Sequence, residues 1–589
     1  MRATFSGLNT MVRGIMSNQL GLDTTGHNIT NAGTEGYSRQ VISLATTYNE
    51  SRPSLYGQVM VGTGVDALAV NRARNVYADL QYWSENPTQQ YYKTIAANYD
   101  KVETIFDDSK DLGIEKSITR FYQTWVDLST TASNASARTQ VIEQGRELSD
   151  RIQAATAELQ EQIRSEYVDL ESELKQIDDI LEEISIFNKQ ILSQEVTGAS
   201  ANDLRDRRDY LVDQLSDYMN ISVKELDGGA YQINSGGVTL VNGASRSHLV
   251  MSNGVSSAVY GVDYGVTDYN IKVQESNIVF LPQNGILKGR LDAIREDKDY
   301  IDKLANISSF LLSTFNDQHK QGWDIDGTSK TDADGNIVPD TINFFGQTDI
   351  SYQYRYDPEN HFNYLYVNDS TLAENKRLLS GVQIIAALEI NAKFNENQGN
   401  RYIAATTSKQ YVETESTDDE GNPITTGTWE DMAWANRTGD GTNAVYMSEL
   451  FNISHETILD DNKANALVYR NAILRDKSGN PIDEDGNAVE EGDYIYATPM
   501  TRLSINAYYQ QSMSYMGINA YSADVNYEAL QNVITQITNW RDSEAGVDWN
   551  EELTKMIQYQ KGFGSCSRCL NAMDECLDRL VNSTGVVGR

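Results

Sequence analysis

The chain has 589 residues, of which 40% are hydrophobic, and its 48 Lys and Arg face 84 Asp and Glu for a net charge of −36. That length allows about four domains of ordinary size. A field this negative repels nucleic acid and anionic membrane surfaces, which excludes both as partners, and no apolar run is long enough to cross a bilayer. At the start of the chain, the stretch from Phe5 to Ile15 is interrupted by Ser6, Gly7, Asn9, Thr10, Arg13 and Gly14. That is not the continuous apolar core of a secretory signal, and by this criterion alone the chain reads as cytoplasmic. Leu8, Ile15, Leu22 and Ile29 recur at a strict seven, with Phe5, Val12, Gln19 and Gly26 as a companion row. Such spacing predicts a helix that buries one narrow stripe against a partner helix.

Asn28-Ile29-Thr30-Asn31-Ala32-Gly33-Thr34-Glu35-Gly36-Tyr37-Ser38 then ends the helix in an ordered turn. Residues 40–71 are rich in Thr, Ser, Gly and Val and read as extended segments. A long helical region begins near Arg72, with breaks expected near Pro87, Gly113 and residues 132–137. Its strongest part runs from Leu148 to Leu192, with seam positions at 148, 152, 155, 159, 163, 167, 170, 174, 177, 181, 184, 188 and 191. The next helix opens Asn202-Asp203-Leu204-Arg205-Asp206-Arg207-Arg208-Asp209-Tyr210-Leu211, whose alternating charges predict a salt-bridge ladder along one helix. After Ile221 the period falls to two and glycine-containing turns alternate with short apolar runs, which predicts a β-meander to about Leu281. Residues 285–315 read as helix. From Gly346 to Thr498 the chain is turn-rich, and four tight-turn marks recur, one before that stretch at Asp334-Gly335-Asn336 and three within it at Glu420-Gly421-Asn422-Pro423, Ser478-Gly479-Asn480-Pro481 and Asp485-Gly486-Asn487. Two helices are expected between Thr498 and Trp540. The last helix carries two seven-residue rows: Trp549, Met556, Phe563, Leu570 and Leu577, with Tyr559, Cys566, Met573 and Leu580 behind. Matching seams at the two chain ends predict that the ends pair with each other.

Catalytic patterns are absent from the string. His455-Glu456 lacks the second histidine of a zinc peptidase helix, and neither a nucleophile elbow nor a phosphate-binding glycine loop occurs. His319 with Asp324 and Asp326 lacks the spacing of a calcium loop. Cys566, Cys569 and Cys576 lie in the last helix with no strand before them, so they read as packing residues rather than as a redox pair. No cofactor and no metal are expected, and the chain does not read as an enzyme.

Asn28, Ile29, Asn31, Thr34, Gly36, Tyr37 and Ser38 resemble the N-terminal signature of bacterial flagellar rod, hook and hook-associated proteins, with Glu35 where proline is common. The Asn202–Leu211 string, the Asn316–Gly327 segment with Phe344-Phe345-Gly346, and Arg541-Asp542 with Gly546-Val547 resemble the hook–filament junction branch of that family. The resemblance implies a structural flagellar subunit, exported without a cleaved leader and required for filament assembly and motility, and so replaces the cytoplasmic reading. It implies as partners further copies in a ring, the hook protein, hook-associated protein 3 and a cytoplasmic export chaperone. The expected fold class is α+β and multidomain: paired terminal coiled-coil helices, a long helical rod-like bundle and inserted, mainly β outer domains. The expected boundaries are 1–40 with 545–589 for the terminal pair, 41–219 with 499–544 for the bundle, 220–350 for a β domain with a helix near 285–315, and 351–498 for an outer β insertion. The seam residues are Phe5, Leu8, Val12, Ile15, Leu22, Ile29, Trp549, Met556, Tyr559, Phe563, Leu570, Met573, Leu577 and Leu580. Other axial subunits, or an adhesin or enzyme carried in the insertion, are the alternatives.

Overall fold

The computed structural model describes residues 6–54, 57–106, 113–196, 198, 200–254, 262–331, 335, 337–357, 362–369, 376–407, 409–417, 423–431, 439–452, 480–482, 487–489 and 503–583. The chain begins with α1 (Ser6–Asn31). Four strands follow, β1 (Gln40–Thr46), β2 (Asn49–Ser54), β3 (Gly57–Gly62) and β4 (Val65–Arg72). β1 pairs with β4 and β2 with β3, both antiparallel, in a nested ribbon. Asn75 then caps α2 (Val76–Ile105), its side-chain oxygen accepting from the Tyr77 and Ala78 N–H groups. The expected break at Pro87 does not occur. A proline inside a helix costs about 3 kcal/mol, and Pro87 is buried beside Trp83, Asn86 and Gln89, whose packing offsets that cost.

α3 (Ile114–Thr130) leads to α4 (Ala135–Glu195), a helix of 61 residues and so roughly 90 Å long. All of its thirteen predicted seam positions are buried. They pack against several elements in turn rather than one partner: α3, then α5 (Asn202–Tyr218) and the strands that follow. Those strands are β5 (Ser222–Glu225), β6 (Tyr231–Ser235), β7 (Val238–Asn242) and β8 (Ser245–Arg246), a four-stranded meander in sequence order. β9 (Leu249–Asn253), β10 (Tyr269–Val273) and β11 (Ile278–Val279) form a second small sheet.

α6 (Ile286–Phe310) packs on α2 and α4. The helix expected inside the β domain is therefore part of the bundle, because its apolar face is already matched to theirs. At this contact Asp297 is fully buried, its Oδ1 accepting from Asn98 Nδ2 at 3.0 Å and Gln162 Nε2 at 3.3 Å. Its Oδ2 has no hydrogen-bond partner among the described residues. Burial, opposed by the Asn98 hydrogen bond and reinforced by the Glu166 charge, pushes this carboxyl up to about 7. The folded chain then holds the proton to higher pH than the unfolded chain does. Stability from this site is full below the unfolded value near 4 and is lost as pH rises to about 7, by up to roughly 4 kcal/mol. Asp297→Asn is expected to flatten that slope and to raise the urea midpoint at pH 8; an unchanged pH profile would refute the assignment.

A π-helical turn, Leu311–Phe315, continues α6 into α7 (Asn316–Gln321). Beyond it lie β12 (Ser329–Thr331) and β13 (Ile337–Pro339), joined through Gly335 at φ +87°. The three-stranded sheet of β14 (Ile350–Asp357), β15 (Phe362–Asp369) and β16 (Lys376–Leu379) follows, and then α8 (Val382–Ala387) and the hairpin of β17 (Lys409–Thr417) and β18 (Pro423–Asp431). Most of the other turn marks, together with His455-Glu456 and Thr498-Pro499, lie outside the described residues. α9 (Thr442–Glu449) does not belong to an outer domain. It packs on α3, and Phe451 just after it joins Phe121, Trp125, Phe315, Phe344 and Phe345 in one fully buried aromatic cluster with Phe121 in its midst. The expected 351–498 boundary therefore fails at its C-terminal side: aromatic burial draws that stretch back into the bundle.

Ser504 caps α10 (Ile505–Ala545), one continuous helix of 41 residues where two were expected. It lies along α2, and that continuous support carries it across Gly517. α11 (Trp549–Asp578) ends the regular structure, with Asp548 as its cap.

Candidate functional site

α11 returns alongside α1, antiparallel. A Cβ built on Gly7 would meet Met573, one on Gly14 would meet Cys566, and one on Gly21 would meet the Tyr559 ring, at 2.8, 2.9 and 2.5 Å. Two turns further along, Asn28 Nδ2 donates to Glu552 Oε2 at 2.9 Å. Each step is seven residues on both helices, so a glycine row receives the second row of α11. Absence of side chains there lets the two backbones approach closely, and the buried Asn28–Glu552 pair marks the register, as a single buried polar residue does in coiled coils.

The placement of the proposed seam residues follows from that geometry. Leu8, Val12, Ile15, Leu22 and Ile29 flank the glycine row and are only half-buried. Met556, Tyr559, Phe563, Leu570, Met573 and Leu577 are likewise half-buried, and Glu552 is the one fully buried residue among the described side chains of α11. Trp549 stands off the pair at 56% exposure, because it begins the helix before the two axes close. Phe5 and the side chain of Leu580 lie outside the described residues. In the sequence Gly7 and Gly14 stand out only as breaks in an apolar run, which hides the glycine row. Their seven-residue spacing with Gly21 was the available signal. Cys566 is half-buried against Gly14, while Cys569 and Cys576 are exposed; all three are free thiols.

At the Asn28 end of the pair, three of the four sequence strings that carry the family resemblance converge. Asn28 is 1% exposed and uses all its polar capacity. Its Nδ2 donates to Gln40 O and Glu552, and its Oδ1 accepts from the Gln40 N–H and the Tyr37 hydroxyl. Gly36, at φ +73°, lies against Tyr210, where a Cβ would come within 2.7 Å. The Ser38 N–H donates to Asp206 Oδ2 at 2.9 Å. The Arg39 N–H donates to Ala545 O at 2.8 Å, which ties the turn to the end of α10.

The charges of the Asn202–Leu211 string do not form a ladder along their own helix. Asp206 and Asp209 are buried and each accepts from Arg72 Nη1 at 2.8 Å. Arg74 lies 3.3 Å from Asp209 and hydrogen-bonds Asp79. Arg541 bridges Asp79 and Asp213 at 2.8 and 2.7 Å. Arg205 reaches Glu195 and Glu225, and the fully buried Arg208 stacks over Tyr231 and donates to Gly229 O. Ion pairs between elements prevail because α5 is inserted into the body, where a charge left without a partner is far more costly than on a surface. Burial raises Asp209, but the charges of Arg74, Arg72 and Arg208 overcome it and hold this carboxyl below the usual range. Burial prevails at Asp206 and Asp213, which are raised.

No group of three or more His, Cys, Asp or Glu side chains is arranged to hold a metal among the described residues. His319 is fully buried, with Nδ1 against Ile342 O at 2.9 Å and Nε2 accepting from the Ala404 N–H at 3.0 Å, and burial lowers it to about 4. Asp326 is taken by Arg401. What this site can do is mechanical. It locks a two-helix pair onto the bundle.

Residues 99–333 match the family model described as the flagellar hook-associated protein FlgK helical domain. The chain is 24% identical to flagellar hook-associated protein 1 of Bacillus subtilis over 603 aligned positions, covering 100% of both chains. Along its whole length the chain is similar to flagellar hook-associated protein 1. Its counterpart of that name in Escherichia coli is 23% identical across 98% of this chain and 99% of that one. Among solved structures, the flagellar hook junction protein FlgK from Burkholderia pseudomallei shares the fold, with a TM-score of 0.51 at 15% identity, covering 79% of this chain and all of that one. The α+β architecture of long helices with several small sheets agrees with that match. No helix among the described residues is long and apolar enough to cross a membrane.

Proposed function

We propose that the chain is a structural, non-catalytic subunit of the bacterial flagellum, placed at the junction between hook and filament and needed for filament attachment. The observation that carries this reading is the α1–α11 pair, whose apolar rows stay half-buried in the single chain. A two-helix pair of this kind is marginal alone, and it gains stability when neighbouring subunits cover its outer faces. Folding of the ends is thereby coupled to assembly. Its partners in this reading are other copies of the chain in a ring, the hook protein on one side, hook-associated protein 3 on the other, and an export chaperone before assembly.

Deletion of the chain is expected to leave hooks intact and to release filament protein into the medium. Attached filaments in the deletion strain would sink the proposal. In the free subunit, amides of residues 6–31 and 549–578 are expected to exchange orders of magnitude faster than those of α4. Equal protection would refute the coupling of end folding to assembly.

A further inference from the structure

α10 carries two apolar stripes along its length, and only one of them is covered. Tyr509, Ser512, Met516, Ala523 and Ile537 are buried, on the side that meets chiefly α2. Centred roughly 130° around the helix from them stand Tyr515, Ile518, Tyr521, Val525, Val533 and Trp540, all within about 60° of one line along the helix at 100° per residue. All six are exposed, Ile518 at 62% and Tyr521 at 72%. At its end the stripe continues onto α2, where the exposed Tyr77 ring meets Trp540 with centroids 5.9 Å apart.

Charge is as telling as hydrophobicity. Between Ile505 and Trp540 only Asp524 and Glu528 are charged, in a chain whose overall charged fraction is 22%. A solvated helix face is ordinarily rich in charge. An exposed face that is aromatic and charge-depleted has the composition of an interface core.

We propose that the outward face of α10 receives a second copy of this chain. The inference rests on the reading of the chain as a self-assembling subunit and adds the surface through which copies meet. Two copies each bearing −36 repel wherever ordinary carboxylate-rich surface is apposed. The α10 stripe is a long surface on which they can approach without facing carboxylates. Its length, roughly 40 Å, and the width of a helix give on the order of 400 Å², about half of the roughly 800 Å² that each partner buries in a stable pair. The contact is therefore weak between free chains and closes when the terminal helix pairs hold the copies side by side at high effective concentration.

The test uses full-length chain with the photo-crosslinker p-benzoylphenylalanine in place of Tyr521, irradiated in isolated flagella. A covalent dimer of the chain is the expected product. A crosslink to a different protein, to lipid, or within one chain to residues 453–502 overturns the proposal. So does no crosslink from flagella that contain the chain. Combining Ile518→Glu with Val525→Glu, both exposed, is expected to leave urea unfolding unchanged and to cut the dimer yield at least about tenfold, since each carboxylate would have to be desolvated; undiminished yield from folded variant overturns it. Failure of the junction reading shows separately, as filaments that remain attached when the chain is deleted.

Discussion

Gly21→Ala is expected to weaken the α1–α11 pair, although alanine is the better helix former. In isolation the change would favour the helix by about 1 kcal/mol. Against that, the new Cβ would sit 2.5–2.7 Å from Cδ1, Cγ and Cε1 of Tyr559. Cγ is fixed to the Tyr559 Cβ, so turning the ring about the Cβ–Cγ bond leaves that contact in place, and relief takes a new χ1 rotamer that rehouses the whole ring or a shift of α11. Overpacking of this kind costs about 1–3 kcal/mol, which exceeds the propensity gain in a pair that is marginal to begin with. The same change at Gly14 meets the Cys566 Sγ, and at Gly7 the Met573 Cε, both ends of side chains that can rotate away. The expected order of damage is therefore Gly21, then Gly14, then Gly7. Gly26→Ala supplies the opposite sign: nothing lies within 4 Å of its Cβ position, so only the helix gain remains. Hydrogen exchange over residues 6–31, with filament attachment as the functional readout, reports the series. Restoration by Tyr559→Ala in the Gly21→Ala background would tie the loss to this contact, whereas equal effects at Gly21 and Gly26 would refute it.

Asp209→Asn is expected to destabilise the body of the chain strongly, although it changes a single side-chain atom. The carboxylate is 2% exposed and lies between Arg72 at 2.8 Å and Arg74 at 3.3 Å, with Arg208 beside it. Removing its charge leaves guanidinium groups crowded in a desolvated site, a change that typically costs about 3–5 kcal/mol. Asp206 still pairs with Arg72, and Asp79 with Arg74, so the lower part of that range applies. The pH dependence follows from the carboxyl being held below its usual range. Its contribution is full above the unfolded value near 4 and disappears as pH falls through the folded value, so variant and parent converge in acid. Urea unfolding at pH 7 and pH 3 measures both statements. A loss under about 0.5 kcal/mol at pH 7, the size of an ordinary surface change, would refute the role given to Asp209.

Periodicity made the large helices legible. The thirteen positions read from α4 are all buried because a helix that long must present one continuous apolar row to whatever lies beneath it. The fall from period 3.6 to period 2 after Ile221 likewise located the meander. Local punctuation was a poorer guide. Pro87 reads as a helix break and residues 498–540 read as two helices, yet α2 and α10 are each continuous because each supports the other along its length. Domain boundaries were misjudged where segments distant in sequence share a core, as with α6 and with Phe451 in the aromatic cluster.

By itself the sequence determined that the first and last helices each carry a seven-residue stripe, that the middle is a long helical rod followed by short strands, and that nothing in the string resembles a catalytic constellation. These follow from spacing and composition along the chain, which need no partner to be read. Only the tertiary structure decided that glycines rather than leucines line the α1–α11 contact, because close approach depends on what the other helix places opposite. Only it brought Asn28, Asp206, Asp209 and Arg541 into one node, because buried charges choose partners by distance in space and the strings that carry them lie hundreds of residues apart.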